Sequence, residues 1–294
     1  MPLEKLSLSH QRLLSGRLKN AHSSLSEFSF ANLYLFRNTH DHRLLADDGT
    51  VYVTGKTYDG FNYLMPTADV RTAGVNPLAR LLKEYDFAFP VPEAWLPAFA
   101  GGEFRVGSSD GDSDYIFRSG ALSAYRGGKL HGPKNLLKQF VASYSIRVLP
   151  LTLERMKDAL NILEAWQSDM GESRIETDYF PCTEALELYE ELILCGFIYY
   201  ADGEPVGFII GEELDPGTFA LHFAKAKRKF KGIYQYMYNH FAGVLSGKYE
   251  FLNFEQDLGK PALRHAKASY QPERLIRKYR VGVRTKDGPP GETG

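Results

Sequence analysis

The run Asn253-Phe254-Glu255-Gln256-Asp257-Leu258-Gly259, continued by Leu263-Arg264-His265-Ala266-Lys267-Ala268-Ser269-Tyr270-Gln271-Pro272, governs how the rest of the chain is read. Tyr249 to Phe254 is short, aromatic and apolar, and reads as a buried strand. It empties into two acids and a glycine turn, then into a basic helix that Pro272 closes, because a proline holds the residue before it away from helical angles. Polar residues at the C-terminal end of a buried strand occupy the position where open α/β sheets bind their ligands.

The preceding segments alternate helices and strands. Thr218 to Ala226 predicts a strand and Tyr234 to Leu245 a helix. Phe197 to Asp202 and Pro205 to Leu214 predict a hairpin about Asp202-Gly203-Glu204. Thr183 to Cys195 predicts a helix, as does Leu153 to Met170, capped by Thr152 and striped by Met156, Leu160, Leu163 and Trp166. In the first half, Leu8 to Leu18 and Leu25 to Phe36 predict helices, the second opened by Ser24 or Ser26. Arg43 to Lys56 predicts a hairpin turning at Asp47-Asp48-Gly49, and Phe61 to Pro66 a third strand. A helix Leu78 to Tyr85 follows Pro77, and strands Phe104 to Val106 and Tyr115 to Arg118 flank the loop Ser108 to Asp114. Leu130 to Tyr144 predicts a bridging helix and Ser145 to Leu151 a strand. The class is α/β with mixed sheets, in an N-terminal module of residues 1–128 and a C-terminal module of residues 129–284 that includes the bridging helix. Residues 285–294, polar and rich in Gly and Pro, read as a disordered tail.

Composition agrees with two folded domains: 294 residues, 44% hydrophobic and 13% aromatic. No run of about 18 apolar residues occurs, and Met1 to His10 lacks the apolar centre of a secretory signal, so the expected location is the cytoplasm. Cys182 and Cys195 have no histidine or second cysteine at ligand spacing, which predicts neither zinc nor a disulfide. The net charge of −1 conceals an asymmetry: residues 151–215 hold sixteen acids and three bases, residues 225–280 thirteen bases and four acids. Two readings follow. The two faces neutralise each other, or a basic floor for an anionic donor adjoins an acidic approach for a cationic amine. The aromatic runs Phe28, Phe30, Tyr34, Phe36 and Tyr234, Tyr236, Tyr238, Phe241 read as core and interface.

The opening run resembles the family built around the C-terminal domain of bacterial phosphatidylglycerol lysyltransferase. Glu255, Gln256, Asp257, Leu258, Gly259, Leu263, Arg264, Ala266, Lys267, Ser269, Tyr270 and Pro272 carry the likeness, with Ser26 to Tyr34 and Leu130 to Asn135 extending it over most of the chain. The resemblance implies two GNAT-like (acyl-CoA N-acyltransferase-like) modules in tandem, related to Fem-type aminoacyl transferases. It implies an acyl or aminoacyl transferase that takes an activated acyl group from aminoacyl-tRNA or acyl-CoA, with no tightly bound cofactor, and passes it to an amine or hydroxyl acceptor such as a lipid headgroup. The alternative is a non-catalytic GNAT-like module that binds a nucleotide-like or lipid-headgroup ligand.

Acyl transfer needs a base, an oxyanion donor and a route for protonating the leaving group. Glu255 and Asp257 stand at i and i+2, so on a continuing strand they share a face, and either is a candidate base. Tyr270 is the candidate leaving-group acid, and Arg264 and Lys267 the candidates to hold substrate. An ion pair between these acids and Arg264 is the competing structural explanation. In a GNAT-like module the donor's phosphates lie where the central strand meets the next helix, which nominates Arg228, Lys231 and Gly232. The usual glycine pattern of a pyrophosphate loop is missing there, and a plain helix entry with solvated lysines explains the segment equally well. Lys134 and Asn135, beside Gly132-Pro133 at a helix start, are a second candidate anion site. His222 and His240 read as satisfied structural histidines.

Overall fold

In the computed structural model, which describes residues 3–125 and 130–284, both Asp-Gly pairs turn hairpins as their chemistry requires. Asp48 and Gly49 have φ of 46° and 76°, and Asp202 and Gly203 have 52° and 84°. Two successive left-handed residues match the twist of the strands they join. The expected boundary at residues 128/129 and the tail 285–294 lie outside the described residues.

Fourteen strands are described: β1 (Leu3–Lys5), β2 (Arg43–Asp47), β3 (Thr50–Lys56), β4 (Asn62–Pro66), β5 (Phe87–Val91), β6 (Phe104–Ser108), β7 (Asp114–Arg118), β8 (Ile146–Pro150), β9 (Cys195–Ala201), β10 (Glu204–Asp215), β11 (Thr218–Ala226), β12 (Phe251–Asn253), β13 (Arg274–Ile276) and β14 (Tyr279–Val283). The α-helices are α1 (Gln11–Asn20), α2 (Phe30–Leu35), α3 (Val70–Ala73), α4 (Asn76–Leu81), α5 (Ser119–Ala124), α6 (His131–Ser143), α7 (Met156–Met170), α8 (Tyr179–Glu187), α9 (Ile233–Leu245) and α10 (Pro261–Ser269). The chain divides into two compact units. The first takes in Met1–Asp114, Gln256–Pro261 and Leu275–Gly294, the second Tyr115–Glu255 and Ala262–Arg274.

The sheet of the first unit runs β1-β2-β3-β4-β5-β14-β6. It is antiparallel except at β4 and β5, which pair in parallel through Tyr63↔Phe87 and Leu64↔Ala88. Its core includes Leu14, Leu33, Val53, Leu64 and Trp95, the last edge-on to Phe28 with ring centroids 5.6 Å apart. The second sheet runs β13-β7-β12-β11-β10-β9-β8, and in it β11 and β12 pair in parallel. Phe117, Phe140, Tyr199, Phe219, Met237 and Phe241 form its core. The aromatic runs therefore serve packing, with Phe28, Phe30, Tyr34 and Phe241 buried. Burying each such ring is worth roughly 1.5–3 kcal/mol.

Several expected elements shift. The helix expected over Leu25 to Phe36 breaks at Ser29, which is extended and whose side chain caps α2 by accepting from the Asn32 N–H; Ser29, not Ser24 or Ser26, is the cap. The helix expected over Thr183 to Cys195 is α8, four residues earlier, because Pro181 is tolerated in a first turn whose N–H groups need no partner inside the helix. Cys182 is buried in α8, and Cys195 opens β9. The strand leading to Glu255 ends at Asn253.

Candidate active site

The second unit's parallel pair is short. β11 and β12 are in register only over Thr218↔Phe251, Phe219↔Leu252 and Ala220↔Asn253, and then the two strands part. His222 and Glu255 each stand two residues beyond the last pair. Between β10 and β11 the register slips from Ile210↔Phe223 to Gly211↔Leu221, so His222 is the extra residue of a β-bulge. A bulge re-aims the side chain it carries. Gly211 permits the close approach, since a Cβ there would lie 1.9 Å from the Ala220 carbonyl oxygen.

The His222 ring is buried and held at both nitrogens. Nδ1 lies 2.7 Å from Glu255 Oε1, and Nε2 lies 2.9 Å from Glu212 Oε1 on β10. Burial alone would depress the imidazole pKa, but the two carboxylates outweigh it and push it up to about 10. At neutral pH the ring is an imidazolium donating to both acids, which rules it out as a base. The side chains of Glu255 and Glu212 retain 12% and 18% exposure, whereas the ring has none.

Glu255 itself has φ of 58°, a left-handed conformation costing a non-glycine residue about 1–2 kcal/mol. Its N–H donates to Asn253 Oδ1 at 2.7 Å. Its carbonyl accepts from the Tyr115 N–H at 3.2 Å and from Lys267 Nζ at 3.1 Å. Because β12 has ended and Glu255 turns left, the expectation that Glu255 and Asp257 share a strand face fails. Asp257 is fully buried in the first unit, its Oδ1 accepting from the Gly259 N–H at 2.8 Å to close the turn that Gly259, at φ 69°, completes.

The remaining candidates disperse. Tyr270 is buried in the aromatic core, its hydroxyl accepting from Gln235 Nε2 at 2.9 Å; burial and the neighbouring Tyr125 raise its pKa far above the phenol range. Arg264 is exposed on α10. Lys134 is half-buried and Asn135 exposed, both in the first turns of α6. In the loop before α9, Lys231 is exposed, while the Arg228 N–H donates to Asp169 Oδ2 at 2.9 Å. Gly232 has φ of 94°, and a Cβ there would meet the Leu136 carbonyl oxygen of α6 at 2.3 Å, so this glycine serves helix packing. The neighbouring lysines face acids: Lys225 lies 2.5 Å from Asp178 Oδ1 with Trp166 beneath it, and Lys227 and Lys229 both reach Glu204. The acidic and basic stretches thus neutralise each other across this loop.

His222 is a histidine with both ring nitrogens satisfied, as read from the sequence, but its partners Glu255 and Glu212 are not legible there. A histidine in a strand and a glutamate ten residues earlier carry no local signal; only the strand pairing across the hairpin joins them. Among the described residues no group of three or more His, Cys, Asp or Glu side chains could hold a metal ion. No helix among them is long and apolar enough to cross a membrane.

The profile described as "Phosphatidylglycerol lysyltransferase, C-terminal" matches residues 18–282. The chain belongs to this family. A conserved protein of unknown function from Bacteroides thetaiotaomicron VPI-5482 is similar in structure at a TM-score of 0.80 and 24% identity, covering 96% of this chain and 99% of that one. L-PGS from Bacillus licheniformis is similar at a TM-score of 0.61 and 14% identity, covering 94% and 92%. FemX follows at 0.59 and 10%, covering 96% and 97%. The fold shared with these structures is mixed α/β, in this chain with two seven-stranded sheets. No curated protein matches the chain.

Proposed function

We propose that this protein is an aminoacyl transferase. In this reading it moves an activated aminoacyl group from an aminoacyl-tRNA to an amine or hydroxyl acceptor, with Glu255 as the base. The observation that carries the reading is the His222 ring, buried between Glu255 and Glu212 where β11 and β12 part, in a member of the phosphatidylglycerol lysyltransferase C-terminal family. As the acceptor attacks the ester carbonyl, the new bond to carbon forms, the acceptor's proton passes to the Glu255 carboxylate, and the ester C–O bond breaks with that proton returned to the departing oxygen. His222, charged at neutral pH, holds Glu255 in position, and Glu212 offsets its charge.

Acyl-CoA is the less favoured donor. The Arg228 amide at the usual pyrophosphate position already bonds a carboxylate, Gly232 is packed against Leu136, and the loop's Lys227 and Lys229 face Glu204 while the preceding Lys225 faces Asp178. The family name supplies one acceptor of the right kind, the hydroxyl-bearing headgroup of phosphatidylglycerol.

The test is transfer from aminoacyl-tRNA to a panel of amine and hydroxyl acceptors. Glu255→Gln is expected to lose about 10²–10⁴ in turnover while keeping its affinity for the donor. A wild-type protein that binds aminoacyl-tRNA yet transfers to no acceptor would mark a binding module instead.

A further inference from the structure

Glu255 is the one residue of the candidate site whose backbone is in an unfavourable region, and its whole peptide environment is built around that conformation. A left-handed glutamate persists only where its surroundings over-determine it. On one side the Glu255 N–H is taken by Asn253 Oδ1 at 2.7 Å, from a side chain that is fully buried at the end of β12. On the other side the Glu255 carbonyl receives the Tyr115 N–H at 3.2 Å and Lys267 Nζ at 3.1 Å. Lys267 is half-buried on α10, and its ammonium also stands 5.7 Å over the Tyr115 ring. Had β12 simply continued, alternation would have set the direction of the Glu255 side chain; with the left-handed turn its carboxylate meets His222 Nδ1 at 2.7 Å.

We infer that Lys267 and Asn253 are positioning residues, which hold the carbonyl and the N–H of Glu255 and so aim its carboxylate at His222. The sequence alone suggested a substrate contact for Lys267; here it acts on the chain itself. The catalytic consequence rests on the reading of Glu255 as the base, whereas the effect on His222 rests on geometry alone.

Two measurements separate these levels. Ring titration of His222 by NMR reports the His222–Glu255 contact whether or not the protein turns over. In the wild type the ring stays protonated past about pH 9, following the raised value that Glu255 and Glu212 impose. In Lys267→Met the midpoint is expected to fall by about one unit or more, with kcat in the transfer assay reduced at least about tenfold and KM within about twofold. Lys267→Arg, which keeps the donor, should restore both. Asn253→Ser, read by the same titration, serves if Lys267→Met fails to fold. An unmoved His222 midpoint would overturn the inference in either of two ways: with a raised KM it makes Lys267 a substrate contact, and with only a lower melting temperature it makes it an anchor for α10. A midpoint that moves in a protein with no transfer activity keeps the clamp and removes the transferase reading.

Discussion

Each unit contains a cation between two carboxylates, and the two clusters differ in what can reach them. In the first unit Lys278 Nζ lies 2.7 Å from Glu27 Oε1 and 2.6 Å from Asp114 Oδ1, with Ser26 Oγ and Gln256 Oε1 completing its shell at 3.0 and 2.7 Å. The side chains of Lys278 and Asp114 have no exposure and that of Glu27 has 8%. In the second unit the cation, His222, is equally buried, but its two glutamates reach the surface. Similar charge arithmetic therefore serves two ends. A buried cluster hydrogen-bonded among its own neighbours specifies a structure; one whose glutamates keep 12% and 18% exposure can offer a carboxylate to a reactant.

Removing the cation from the sealed cluster should have the largest effect. Lys278→Met leaves Glu27 and Asp114 facing each other in the interior, and is expected to cost about 3–5 kcal/mol, seen as a sharply lower unfolding midpoint. Adding Glu27→Gln should recover part of that loss. A mild Lys278→Met phenotype would mean that water reaches the cluster after all, and the contrast with the second unit would collapse.

The next effect is a pH dependence with two separable windows. Burial, reinforced by Asp114 and opposed by Lys278, raises the Glu27 carboxyl from 4.5 to about 7. A folded-state value above the unfolded one means the contribution is full below about pH 4.5 and is lost as pH rises through 7, amounting to about 3 kcal/mol. The same sign holds for His222, whose contribution is full below pH 6.5 and lost as pH rises through about 10. Denaturant titrations across pH should therefore lose stability in an acidic step that Glu27→Gln abolishes and an alkaline step that His222→Gln abolishes. The smallest effect is expected from Glu212→Gln, which keeps an acceptor for His222 Nε2 but not its charge: about 1–2 kcal/mol in stability and a lower His222 midpoint. A loss as large as that of Lys278→Met would make the outward cluster as structural as the inward one.

What the chain discloses locally, it discloses well. The Asp-Gly turns at residues 48–49 and 202–203 and the strand Thr218 to Ala226 need only neighbouring residues, and they form where read. The position of Glu255, just past a short apolar strand, is legible for the same reason. His222 reads as a satisfied histidine, but its partners do not, because they depend on a bulge that no single strand reveals; Lys278 is not legible either, because a lysine between Arg277 and Tyr279 looks like a solvated charge until the sheet of the first unit covers it. β5 has no counterpart in the sequence reading; its Pro90 removes a donor, which argues against an interior strand, yet β5 lies between β4 and β14. The i, i+2 relation of Glu255 and Asp257 failed because it assumed a strand that stops at Asn253.

Lys278 also sets a timetable. The side chain that neutralises Glu27 lies 251 residues further along the chain. At roughly 5–20 residues per second, a ribosome needs about 12 to 50 s to supply it. Throughout that interval the nascent first unit holds two carboxylates destined for its interior and no cation to bury with them. The second unit, complete at Arg274, is out of the peptidyl-transfer centre before Lys278 is added. The N-terminal half of this protein is the first to be made and the last able to close.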